Sequence, residues 1–127
     1  MRFFKLKFYY SLFSVIAINT YNEQMDLGMK NGPLKGIKII DASSILMVPY
    51  CTRLLADMGA EVIKIETLEG DNTRYIGPGV NKGMGAVFLN INRNKKSICI
   101  DLKTQDGQII VKKLIKSADV FVSNIRK

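Results

Sequence analysis

The chain has 127 residues, 47% of them hydrophobic, 24% charged and 9% aromatic, which is the composition of a globular chain and excludes a disordered one. Its length suits one domain with a modest core, or one lobe of something larger. The net charge of +8 comes from 19 basic and 11 acidic residues, but the bases are scattered and do not alternate with aromatics, so no nucleic-acid partner is expected.

Histidine is absent, which removes the commonest metal ligand and the commonest general base, and no metal site is expected. Cys51 and Cys99 each sit in an apolar segment without a CxxC partner. Both read as reduced core residues.

Residues 1–30 carry Arg2, Lys5, Lys7 and Lys30 against Glu23 and Asp26, and 8–18 (FYYSLFSVIAI) are mostly apolar. This run is shorter than the roughly 20 residues that a spanning helix needs, so no membrane span is expected. Basic flanks with no acid before Glu23 fit a secretory signal or a mitochondrial presequence. An artefactual extension is the competing explanation. The two lone cysteines argue for a reducing compartment, so mitochondrial import is the preferred reading and a cytoplasmic location the alternative.

After the turn signal Asn31-Gly32-Pro33, regular elements begin. Residues 37–40 form a β-branched strand ending at Asp41. Residues 49–58 come next as a helix, with Tyr50, Cys51, Leu54, Leu55 and Met58 at helical spacing and Gly59 as its stop. Residues 62–65 form a second strand closed by Glu66. The stretch 69–85, with five glycines and Pro78, reads as a loop. Its Gly77-Pro78-Gly79 matches no phosphate-binding glycine pattern and is read as a surface turn.

A short apolar run at 86–90 precedes a polar turn at 92–97, and residues 98–100 form a third strand ending at Asp101. Thr104 is the expected N-cap of a helix burying Ile110, Val111, Leu114 and Ile115, with Asp106 in its first turn and Lys112, Lys113 and Lys116 facing water. A fourth strand, 120–122, is apolar on both faces and is expected to be covered on each side. Alternation of strands with helical connections predicts an α/β fold: a Rossmann-like parallel sheet with flanking helices. Ligands of such sheets sit beyond the carboxyl ends of the strands, here 41–47, 66–67, 101–103 and 124–126.

Five blocks in order, 32–37 (GPLKGI), 53–66 (RLLADMGAEVIKIE), 70–74 (GDNTR), 92–97 (NRNKKS) and 118–122 (ADVFV), resemble the opening of family III CoA-transferases. That group includes formyl-CoA and carnitine CoA-transferases, succinate–hydroxymethylglutarate CoA-transferase and α-methylacyl-CoA racemase. The resemblance implies that 31–127 is a partial CoA-binding domain, the incomplete N-terminal portion of a larger interlocked-dimer fold. It implies coenzyme A or acyl-CoA as substrate, a carboxylic acid as the other substrate, no prosthetic group, and a homodimer at full length.

Carried over position by position, the CoA contacts would be Leu46 and Met47 after the first strand, Thr67 after the second, Ile100, Asp101, Leu102 and Lys103 after the third, and Asn124, Ile125 and Arg126 after the fourth. Lys103 and Arg126 have the charge to pair with CoA phosphates. In the 92–97 turn, Lys95 or Lys96 is the candidate phosphate contact and Arg93 is left to solvent. The chain departs from the family pattern at Val48, where a glycine is usual, and at Ile125, where an aromatic is usual. In the family an aspartate beyond the fourth strand carries the acyl group and then CoA. No residue of this chain is assigned that role: Asp41, Asp101 and Asp119 read as structural, and no transferase activity is expected of residues 1–127 alone. The main reading is the CoA-binding end of a CoA-transferase, with the succinyl-CoA, dicarboxylic type as its candidate class. The alternatives are a non-catalytic CoA-binding or dimer-interaction module and a fragment of an acyl-CoA racemase.

Overall fold

The computed structural model describes residues 32–125, so the N-terminal extension and Arg126 lie outside the described residues. Strand β1 (Lys38–Ala42) leads into helix α1 (Met47–Asp57), which returns the chain to strand β2 (Glu61–Glu66). The reversal after α1 falls at Gly59, whose φ of 99° is open to glycine without a Cβ penalty, and Gly59 N donates to Ala56 O. A 3-10 turn (Asn72–Tyr75) and a short helix α2 (Ala86–Ile91) connect β2 to strand β3 (Lys95–Cys99). Helix α3 (Gln105–Lys116) then crosses the sheet to strand β4 (Val120–Ser123). Thr104 caps α3 as expected, its hydroxyl accepting from Gly107 N at 3.1 Å, and Lys112, Lys113 and Lys116 are exposed.

The four strands are parallel in the order β3-β2-β1-β4. The chain builds outward from β1 through β2 to β3, then crosses back to the other side of β1. The direction of winding therefore reverses between β1 and β4, which defines the switch point of a doubly wound sheet. Alternation along the strands gives each face its own core. Ile39 and Val62 pack with Ala56 and Ala60 on the α1 face. Ile40, Ala42, Ile65 and Ile100 pack against Ile110, Val111 and Leu114 on the α3 face.

Four sequence expectations need correction. The third strand begins at Lys95, inside the segment read as a turn, and Ile100 lies just past its end. Lys95 pairs with Val62, Lys96 with Ile63 and Ser97 with Lys64, because the polar ends of these side chains find partners across the sheet. Helix α1 buries Pro49, Thr52 and Ala56, while Tyr50, Leu54 and Met58 are exposed. Small side chains line the face toward the sheet, so Tyr50, Leu54 and Met58 turn outward, while Leu55 stays half-buried against the α1-face core as its spacing suggested. Cys51 lies on that outer side and is exposed, and Cys99 is only half-buried, so neither is a core residue. Strand β4 pairs with β1 alone, and Val120 and Phe121 are exposed rather than covered.

Candidate functional site

The carboxyl ends of β1 and β2 carry a line of buried charges on the α1 face. Asp41 is fully buried and accepts from Thr52 Oγ1 at 2.6 Å, Lys95 Nζ at 3.0 Å, Ser43 N at 3.0 Å and the Ser43 hydroxyl. Burial works against its ionisation, but the bonds from Ser43, Thr52 and Lys95 outweigh it and hold the carboxyl below its ordinary range. Asp41 is therefore structural, as the sequence suggested. Lys95 Nζ also donates to Pro49 O at 2.7 Å and Asn92 Oδ1 at 2.9 Å. Its side chain is 1% exposed, which removes it as a phosphate contact: its three donors are already used inside the protein. Lys96 remains exposed and pairs with Glu61, and Arg93 pairs with Asp57.

Lys64 stands opposite Asp41 in the strand register. Its Nζ donates to Ser43 O at 2.7 Å and pairs with Asp71 Oδ2 at 2.8 Å, with both side chains 1% exposed. Glu66, two residues on, receives Arg74 in a two-pronged pair, Nε to Oε2 and Nη2 to Oε1, each 2.7 Å. It also accepts from Ser97 Oγ and from Asp71 N. The Arg74 guanidinium lies 3.7 Å from the centre of the Phe88 ring, which seals its other side. Burial pushes the Glu66 and Asp71 carboxyls up, but Arg74 and Ser97 for the first, and Lys64 and Thr73 for the second, bring both below their ordinary values. These pairs fix the turn after β2, where Gly70 takes φ 85° and donates to Thr67 O.

Above this floor is a shallow crevice of about 120 Å³. Its walls come from the end of β1 (Ala42, Ser43, Ser44), the end of β2 and the turn after it (Lys64 to Thr67, Gly70, Asp71), Leu102 after β3 and Ile125 after β4. Of the residues expected from sequence, Thr67, Leu102 and Ile125 line it. Ile100 is buried beneath, in the α3-side core. Asp101 turns back on its own loop, accepting from Lys103 N through Oδ1 and from Thr104 through its carbonyl. Lys103 is exposed nearby in sequence, and its ammonium has no protein partner among the described residues. Asn124 does not line the crevice but bonds to Ser44, which does. Leu46 and Met47 are exposed at the start of α1, at 49% and 78%, and are not among the lining residues.

Ser43, Ser44 and Glu66 fall within the strand-end stretches 41–47 and 66–67 but were not singled out as contacts, and sequence reasoning missed Lys64 and Asp71 altogether. A signal for Lys64 was present: a lysine between Ile63 and Ile65 in a central strand has to be buried with a partner. Among the described residues no cluster of acidic or sulfur side chains is arranged to hold a metal ion, and no helix is long and apolar enough to cross a membrane.

Residues 34–127 match the model of CoA-transferase family III. The chain is 46% identical over 93 residues to a succinyl-CoA:glutarate CoA-transferase of Mus musculus, covering 72% of this chain and 21% of the relative. It is 42% identical over 98 residues to an (R)-2-hydroxy-4-methylpentanoate CoA-transferase of Clostridioides difficile, covering 73% and 24%. Among solved structures, a CaiB/BaiF family protein from Brucella suis superposes with a TM-score of 0.70 at 40% identity, covering 75% of this chain and 26% of that one. The chain thus spans about a quarter of the length of these relatives. The match over 34–127, together with the parallel sheet shared with these structures, establishes that the chain belongs to CoA-transferase family III.

Proposed function

We propose that residues 31–127 form part of the CoA-binding domain of a CoA-transferase that moves CoA between carboxylic acids. The observation that carries this reading is the crevice at the switch point. It lies at the carboxyl ends of the strands, where doubly wound sheets take nucleotides, and three residues expected to meet CoA line it. The apolar Leu102 and Ile125 and the polar Thr67 suit a flat base with a polar edge. Lys103, whose ammonium has no partner among the described residues, follows the lining residue Leu102 in sequence and would supply a cation for phosphate, and Arg126 would supply a second. Leu46 and Met47, ahead of α1, would meet the acyl-bearing arm, and Asp101 and Asn124 would shape the loops around the base.

The substrate class we favour is a dicarboxylic acyl-CoA of the succinyl type, because the relatives include succinyl-CoA:glutarate and succinyl-CoA--D-citramalate CoA-transferases. In this reading the acyl group and then CoA pass through an aspartyl carboxylate outside residues 1–127. The complete enzyme works as a homodimer, and residues 1–30 direct it to mitochondria.

The test is a titration of CoA against the wild-type chain, Lys103→Ala and Lys112→Ala. A charge-assisted phosphate contact contributes about 1.5–3 kcal/mol, or roughly tenfold to a hundredfold in affinity. Lys103→Ala should weaken binding by about tenfold or more, and Lys112→Ala, on the water-facing side of α3, should do little. Equal losses would mean diffuse electrostatics, and no loss at Lys103 would remove it from the site.

A further inference from the structure

The last register pair between β1 and β4 is Ala42 with Ser123. Beyond it the strands part, and ladder bonds end. One position later a side chain takes over: Ser44 N donates to Asn124 Oδ1 at 3.0 Å, and Asn124 Nδ2 donates to Ser44 O at 2.9 Å. A carboxamide offers the same donor and acceptor as a peptide group, so Asn124 extends the pairing across the switch point by one residue.

The backbone immediately after Ser44 is strained. Ile45 has φ 70°, a left-handed conformation that a β-branched residue rarely adopts, and it is 54% exposed, so packing does not impose it. Such a conformation persists where its surroundings fix it. Here Ser43 is pinned from inside, its N by Asp41 and its carbonyl by Lys64, and Ser44 is pinned from across the sheet by Asn124. Both serines line the crevice.

We propose that Asn124 is a positioning residue: it holds the β1–α1 loop in its strained shape, and so acts on CoA through that loop rather than by touching the ligand with its side chain. This rests on the CoA-binding reading above. Both ends of the carboxamide are already engaged by Ser44, leaving one hydrogen of Nδ2 and one lone pair of Oδ1 to offer elsewhere.

The experiment uses the ¹⁵N-labelled 127-residue chain, reading amide hydrogen exchange at Ser44 and Ile40 together with CoA affinity. In Asn124→Ala, the Ser44 amide should exchange about tenfold faster or more, Ile40 in the sheet centre should be unchanged, and CoA affinity should fall by about tenfold. Asn124→Asp keeps the acceptor for Ser44 N and loses the donor. Its Ser44 exchange should lie between those of the wild type and the alanine variant, and it decides the matter if the alanine variant loses Ile40 protection as well. Unchanged Ser44 exchange in Asn124→Ala overturns the proposal, and if affinity nevertheless falls, Asn124 touches CoA directly. Faster exchange with unchanged affinity also overturns it. A wild-type chain that binds no CoA at millimolar concentration sinks the CoA reading and the role assigned to Asn124, whereas a Ser44 amide that still loses protection in Asn124→Ala marks the pair as a purely structural bond.

Discussion

Replacing Lys64 by methionine removes one member of an ion pair whose two side chains are each 1% exposed. The methionine keeps the apolar stem, so little packing is lost. What remains is the Asp71 carboxylate without its cation and the Ser43 carbonyl without its 2.7 Å donor. Breaking a buried pair by removing one partner costs about 3–5 kcal/mol, because the other charge is stranded. An expected loss of about 4 kcal/mol lowers the folding constant by roughly three orders of magnitude and the urea midpoint by about 2–3 M. With no tryptophan in the chain, unfolding is best tracked by far-ultraviolet circular dichroism. The double variant Lys64→Met/Asp71→Asn removes both charges, keeps the oxygen that accepts from Thr73 N and Oγ1, and should recover most of the loss, giving a strong departure from additivity. The single variant's deficit should also shrink as the pH falls, because a stranded carboxyl can be neutralised by a proton. A cost below about 1 kcal/mol, or additive single losses, would refute the view that this pair fixes the floor of the crevice.

Gly107→Ala should destabilise, although alanine ordinarily improves a helix interior by about 1 kcal/mol. A Cβ at this position would lie 2.0 Å from Asp101 O, so the start of α3 must shift, and a thermal melt should show a lower Tm. Acid should unfold the chain through its buried carboxyls. Asp41, Glu66 and Asp71 are all held below their ordinary values of 3.8, 4.5 and 3.8. Their contribution is therefore complete above those values and is lost as the pH falls through the lower folded ones. Urea midpoints should be flat near neutrality and drop below about pH 4.5; Glu66→Gln should flatten part of that drop.

The local signals were legible in sequence. Thr104 before α3 and Gly59 after α1 act at the level of single turns, and each does what its residue type predicts. The β-branched runs at 37–40 and 62–65 mark the central strands because both faces of those strands are covered. Legibility failed where a residue's environment is set by distant partners. Lys95 and Ser97 look like turn residues, yet Lys95 is drawn inward by Asp41, which is 54 residues away in sequence. The helical spacing of Tyr50, Leu54 and Met58 predicted an inward stripe. The structure turns those three outward, because Asp41 bonds Thr52 and Ala56 packs into the core on the opposite side of the helix, with Leu55 half-buried beside it. The candidate site divides in the same way. Strand-end logic located the crevice, and three of the contacts implied by the family resemblance line it, whereas its charged floor arises from pairs such as Glu66 with Arg74, which only the turn after β2 brings together.

The most direct test of the account is a ¹⁵N correlation spectrum of the 127-residue chain titrated with CoA to millimolar concentration. Binding at the switch-point crevice predicts saturable shifts at Ser44, Thr67, Gly70, Leu102, Lys103 and Ile125. Gly59, Ala60 and Ser117, which precede strands at the opposite end of the sheet, should be unmoved. An unchanged spectrum, or shifts concentrated at Gly59, Ala60 and Ser117, would contradict the assignment of this crevice as the CoA site.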